Sequence, residues 1–197
     1  MNRTAKVVRS TKETAIEVTL DLDGAGVASV STGLPFFDHM LDQIGKHGGF
    51  DLTVSAKGDL EVDAHHTIED TGLAIGEAVR EALGDKAGIR RFASMALPLD
   101  EALISIALDL SGRPFLAYDV ALPHEGVTLG QPPFEPHLVE HFLQSFATAA
   151  GITLHVRMVS GRNTHHIIEA VFKGVARCLR DAVRIEGSAV PSTKGAL

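Results

Sequence analysis

Apolar and polar residues alternate along Ala15-Ile16-Glu17-Val18-Thr19-Leu20-Asp21-Leu22, and again along Leu103-Ile104-Ser105-Ile106-Ala107-Leu108-Asp109-Leu110. A period of two marks a strand with one face in a core and the other in water. The pattern predicts strands over 14–22 and 102–110, each run reaching a glycine (Gly24, Gly112) before a second short strand at 27–32 or 115–120. The apolar period then lengthens to that of a helix, which predicts helices over 35–47 and 137–150. Short strands at 51–57 and 152–158 come next, followed by long helices that open at two His-His pairs and run to about 83 and 184. In these, Ile68, Ile75, Val79 and Ala82 correspond to Ile168, Val175, Leu179 and Ala182, one apolar stripe apiece. An extra strand at 5–10 is expected to pair with the first sheet.

The chain is therefore an internal duplication. Asp38-His39-Met40-Leu41 matches Glu140-His141-Phe142-Leu143, and Gly49 matches Gly151 at the same offset. The offset runs from 88 through 102 to 100, so insertions separate the copies without changing their order. The first half spans 1–95, the second 96–187, and 188–197 forms a tail. Two units that each carry a small sheet and two helices bury their apolar faces against one another, so the fold class is α+β. The irregular, proline-rich segment 123–136 joins strand to helix in the second half, and a loop of that length in a compact domain is often functional.

The chemistry lies in the duplicated motif. Asp63-Ala64-His65-His66-Thr67-Ile68-Glu69-Asp70 and Asn163-Thr164-His165-His166-Ile167-Ile168-Glu169-Ala170 both read His-His-x-x-Glu. On a helix each Glu shares a face with the histidines three and four positions before it. The two adjacent imidazoles diverge by roughly 100° about the axis, so one ion could hardly take both. Two metals, each fed by both motifs, fit this arrangement, and imidazole with carboxylate suits Mn, Fe, Zn or Ni. His39 and His141, at equivalent helix positions, complete a set of six histidines and two glutamates. Shared between two ions, that set leaves octahedral positions open for substrate and water, as catalysis requires and a closed structural zinc site does not.

Composition narrows the partners. A net charge of −7 argues against nucleic acid, whose phosphates reward a basic face. No run approaches the ~20 apolar residues of a membrane span, and the first residues lack the apolar core of a secretory signal. The lone Cys178 can form no internal disulfide and falls on an apolar helix face with Val171 and Val175. A cytoplasmic location is expected.

These motifs, with Leu34-Pro35-Phe36-Phe37-Asp38-His39-Met40 ahead of them, resemble the imidazoleglycerol-phosphate dehydratase family of histidine biosynthesis in its stand-alone form, from Arg9 to Lys194. The resemblance implies dehydration of imidazoleglycerol phosphate to imidazole-acetol phosphate with two Mn²⁺ per active site. It also implies two four-stranded sheets enclosing a four-helix layer, and a homo-oligomeric 24-subunit shell with active sites between subunits. One metal would take His65, His141, His165 and Glu169, and the other His39, His66, Glu69 and His166. Glu13, in Arg9-Ser10-Thr11-Lys12-Glu13-Thr14, would move a proton. Gln43 and His47 match positions near substrate, although His47 also reads as a cation at a helix C-terminus. Arg91, Arg113, Lys173, Ser192 and Lys194 match the phosphate-binding positions, with Arg90 standing beside Arg91. The tail would close on that phosphate.

Two other classes compete. A dinuclear metallohydrolase acting on a small phosphorylated substrate would lean on bridging carboxylates, whereas histidines outnumber carboxylates here. A metal-storing or metal-stabilised shell would need no set of cations for phosphate.

Overall fold

Thr14, Ile16, Val18 and Leu20 are buried along one face of a strand whose intervening residues reach solvent, and Ala102, Ile104, Ile106 and Leu108 repeat the pattern. The computed structural model describes residues 3–123 and 126–197, so two positions of the 123–136 segment lie outside the described residues. The first half runs β1 (Thr4–Ser10), β2 (Thr14–Asp21), β3 (Ala28–Ser31), α1 (Pro35–Gly48), β4 (Asp51–Gly58) and α2 (His65–Leu83). The second runs β5 (Phe92–Leu99), β6 (Ala102–Asp109), β7 (Phe115–Asp119), α3 (Leu138–Ala150), β8 (Thr153–Ser160) and α4 (Thr164–Ala182).

Each half forms a four-stranded sheet of the same order, β1-β2-β4-β3 and β5-β6-β8-β7. The first three strands of each are antiparallel neighbours. The fourth runs parallel to its partner, β3 with β4 and β7 with β8, because a helix (α1 or α3) carries the chain across between them. Both crossover helices stop the same way, at glycines with φ of +70° and +66°, which explains why Gly49 and Gly151 recur in register.

The strand at 5–10 is not an extra one. Its counterpart is β5, which pairs with β6 over its whole length and crosses the 95/96 division drawn from sequence, so the second sheet begins at Phe92. Its sequence, Phe-Ala-Ser-Met-Ala-Leu-Pro-Leu, has small residues where alternation is usually read, and Pro98 is tolerated because the strand lies at a sheet edge.

The helices fill the space between the sheets. α2 rests on β1 and β2, α4 rests on β5 and β6, and the helix pairs form across the halves, α2 with α3 and α1 with α4. The α2–α3 pair crosses closely at Gly72 and Gly76. A Cβ on Gly76 would stand 2.5 Å from the Phe146 carbonyl oxygen and 2.9 Å from Ala149 Cβ. Gly76→Val is therefore expected to destabilise the protein by about 3 kcal/mol, the upper part of the range for overpacking. Urea unfolding checks this, and an unchanged midpoint would mean that the helices can move apart freely.

Candidate metal centre

Two side chains fix the His pairs at the starts of their helices. Asn163 Oδ1 accepts the backbone N–H groups of His165 and His166 at 2.9 and 3.2 Å, and Asp63 accepts that of His65 at 2.7 Å. Adjacent imidazoles then diverge as the helix demands: the ring centres lie 6.2 Å apart for His65 and His66, and 6.3 Å for His165 and His166.

Within one chain six of the eight candidate ligands fall into two related groups. In the first, His165 Nε2 lies 2.8 Å and His39 Nε2 3.4 Å from the same Glu169 oxygen. Ligand atoms of all three fall within 4.8 Å of one another, about the span of two metal–ligand bonds. In the second, His65 Nε2 lies 3.1 Å from Glu69, and the His65 and His141 rings are 4.8 Å apart. The groups are related by the duplication: α1 meets α4 in one, and α3 meets α2 in the other. His66 and His166 turn aside to other carboxylates. His66 Nδ1 is 3.0 Å from Asp59, and His166 Nδ1 is 2.8 Å from Glu101. A carboxylate on one imidazole nitrogen fixes the ring and leaves Nε2 as the outward donor, a common support for a metal ligand.

Charge at the site is tuned accordingly. Burial works against ionisation of Glu169, yet Lys173, His165 and His39 hold its carboxyl down at about 2. Glu101 is also held at about 2, chiefly by His166, whose own pKa Glu101 raises in return. Asp59 likewise raises that of His66. Burial lowers the pKa of His47, with Lys173 and Arg177 adding to the effect, so this imidazole favours the neutral form over a dipole-stabilising cation. Imidazole nitrogens and carboxylate oxygens form a donor set that fits a divalent first-row metal.

The segment carrying Glu13 is anchored by its own motif. Arg9 Nε donates to Asp70 at 2.8 Å, the Thr14 hydroxyl donates to the other Asp70 oxygen, and Thr11 Oγ1 accepts the backbone N–H groups of Glu13 and Thr14. This directs the exposed Glu13 towards α2, with its carboxylate 3.9 Å from His66 Nδ1. Gln43 Nε2 donates to the His39 carbonyl at 3.0 Å.

The cations meet elsewhere. Arg91, Arg113, Ser192 and Lys194 line one hollow of about 620 Å³ under the tail. Arg91 is held there by both oxygens of Asp109, at 2.7 and 3.2 Å, and donates to the Pro191 carbonyl at 2.8 Å. Arg90 instead lines a separate hollow over the second sheet. Lys173 is not in the group; it pairs with Glu169. The Arg91 N–H donates to the Ala182 carbonyl at the far end of α4. At 1.5 Å per residue, the hollow therefore lies about 25 Å along that helix from His165.

Asp59, Glu101 and Asp109 are not among the residues singled out from sequence. Glu101 carries a signal, being the duplication's counterpart of Glu13 at the offset of 88. Asp59 carries none, since the carboxylate that meets His166 in the second half, Glu101, comes from a different position in the repeat.

A family model described as imidazoleglycerol-phosphate dehydratase matches residues 32–179. The chain belongs to that family. An imidazoleglycerol-phosphate dehydratase of Parafrankia sp. (strain EAN1pec) is 56% identical over 199 residues, covering all of both chains. A histidine biosynthesis bifunctional protein of Stenotrophomonas maltophilia is 58% identical over 99% of this chain and 53% of its own. The crystal structure of the enzyme from Pyrococcus furiosus in complex with (S)-C348 superimposes with a TM-score of 0.83 at 36% identity, over 97% of this chain and all of the other. As a member of this family the chain is a hydro-lyase of histidine biosynthesis that acts on a small substrate, and the hydrolase and storage alternatives give way. No described helix is long and apolar enough to cross a membrane.

Proposed function

We propose that the protein dehydrates imidazoleglycerol phosphate to imidazole-acetol phosphate at a pair of Mn²⁺ ions, in sites assembled between copies of the chain in the cytoplasm. The observation that carries this reading is the division of labour along α4: metal ligands at its start, an arginine-lined hollow at its end. A substrate the size of a phosphorylated glycerol cannot bridge about 25 Å, so the hollow of one copy serves the ligands of another.

The ligand sets point the same way. His65, His141, His165 and Glu169 would hold one ion, and His39, His66, Glu69 and His166 the other. Each set draws on both groups found in a single chain, which copies placed side by side would reconcile in a shell of 24. When bound, the ions supply Lewis acidity to the substrate's imidazole nitrogens, so that the ring can take up the charge left when its neighbouring carbon loses a proton.

The remaining work belongs to side chains. Glu13, exposed and set beside His66, takes up or delivers the proton. His47, whose pKa burial and nearby cations lower, is the second proton-carrying group, and Gln43, one turn beyond His39, binds substrate. Arg113, Lys194 and Ser192 bind the phosphate, with Arg91 locked behind them by Asp109, and Lys173 approaches from the neighbouring copy's metal side.

The direct test is to give Mn²⁺-loaded protein the substrate and follow the keto product; no product would overturn the reading. Glu13→Gln should keep metal and assembly while lowering kcat by ~10² or more, the usual worth of a positioned acid or base. Near-normal kcat would move that role to another residue. Deleting residues 190–197 should raise KM for substrate.

A further inference from the structure

Lys86 is the only buried cationic side chain among the described residues, at 6% exposed. Its backbone has a φ of +60°, in the left-handed region that side chains avoid. Arg91, five residues on, has a φ of +76°, so the link between the halves carries two strained residues beside the hollow. The Lys86 ammonium donates to the Leu110 carbonyl at 3.2 Å, and no carboxylate among the described residues lies within 4.0 Å of it. Asp109, whose charge acts on it from a distance, spends both oxygens on Arg91. A buried ammonium with one neutral acceptor is costly, and burial accordingly lowers its pKa.

Its placement shows what that cost supports. Leu110 begins the turn that presents Arg113. In that turn the Ser111 hydroxyl accepts the Arg113 N–H at 3.1 Å, and Thr153 Oγ1 donates to the Arg113 carbonyl at 3.1 Å. A Cβ on Gly112 would stand 3.6 Å from Lys86 Nζ and 3.0 Å from the carbonyl carbon of Leu197, so the turn is held between the ammonium and the tail. Arg91 pairs directly with Asp109, whereas Lys86 feels that carboxylate only at a distance and holds its charge in a low-dielectric setting where fields reach further.

We propose that Lys86 is a positioning residue for the anion hollow: it fixes the Leu110–Arg113 turn and adds a buried positive charge that draws in a phosphate it does not touch. This rests on the reading of the hollow as the phosphate site. The test measures binding of inorganic phosphate to the Mn²⁺-loaded protein by calorimetry, together with KM and kcat. Lys86→Gln keeps a donor for Leu110 but loses the charge. It should weaken phosphate binding and raise KM about tenfold, an effect of the size that 1.4 kcal/mol of lost attraction gives, with little change in kcat and a shallower dependence on ionic strength. Lys86→Arg should restore both. Lys86→Met, which loses donor and charge, should do worse than Gln; if it fails to fold, the Gln and Arg variants decide alone. Unchanged phosphate binding in Lys86→Gln, or equal losses in Gln and Arg, would overturn the proposal provided that Arg113→Ala weakens binding. If Arg113→Ala has no effect either, the hollow is not the phosphate site and both readings fall.

Discussion

Glu169→Gln is expected to remove most of the bound metal and lower turnover by on the order of 10³, the several kcal/mol that a Lewis-acid centre contributes. Glu169 is where His39 and His165 converge on one oxygen, and its charge is secured against burial by Lys173 and the two imidazoles. Glutamine keeps the shape but offers a neutral oxygen, and it leaves the Lys173 ammonium facing the ion without its partner. Losing even an outer partner of a ligand weakens metal binding by about 10–100-fold, so losing the ligand should cost more. Glu69→Gln, its counterpart, should behave alike. Elemental analysis and kcat check the pair; full metal content and full turnover in Glu169→Gln would remove it from the ligand set.

That prediction starts from a register visible in sequence, because helix geometry is local. His-His-x-x-Glu fixes which faces the imidazoles share, and Asp63 and Asn163 stand where a cap belongs. The alternation in β2 and β6 and the paired glycines of α1 and α3 are legible for the same reason. β5 is not, because Ala93, Ser94 and Ala96 give little contrast and the edge position removes the need for it. The grouping of His39 with Glu169, and of His65 with His141, depends on how the halves dock, which no spacing encodes. The Arg91 hollow is a longer-range case still: its distance from His165 follows from the link between the halves folding back on the end of α4. Lys86 announces nothing in Gly84-Asp85-Lys86-Ala87-Gly88, since its burial is produced by that same fold.

Removing the metal is expected to take the assembly apart. If ligands of each ion come from different copies, metal-binding free energy is assembly free energy, and a chelator at neutral pH should convert the large particle into smaller oligomers. Acid should do the same, because imidazoles must be neutral to bind. Asp59 and Glu101 raise the pKa of His66 and His166 above 6.5, so protons compete from above that value downward, and affinity falls as pH is lowered through about 6 to 5. The metal-free fold responds differently. The raised pKa of His166 contributes stability that is present below 6.5 and lost as pH rises through the folded value. The lowered pKa of Glu101 contributes stability that is present above 4.5 and lost as pH falls towards 2. Between 4.5 and 6.5 both contributions hold, so this pair does not unfold the chain in the range where the metal leaves. Light scattering with circular dichroism should therefore show smaller particles of intact secondary structure at pH 5, reversed by Mn²⁺ at neutral pH. His165→Ala should behave as metal-free protein even with Mn²⁺ present. Full-size particles after chelation, at pH 5 and in His165→Ala would show that the metals sit in a preformed site and serve catalysis alone.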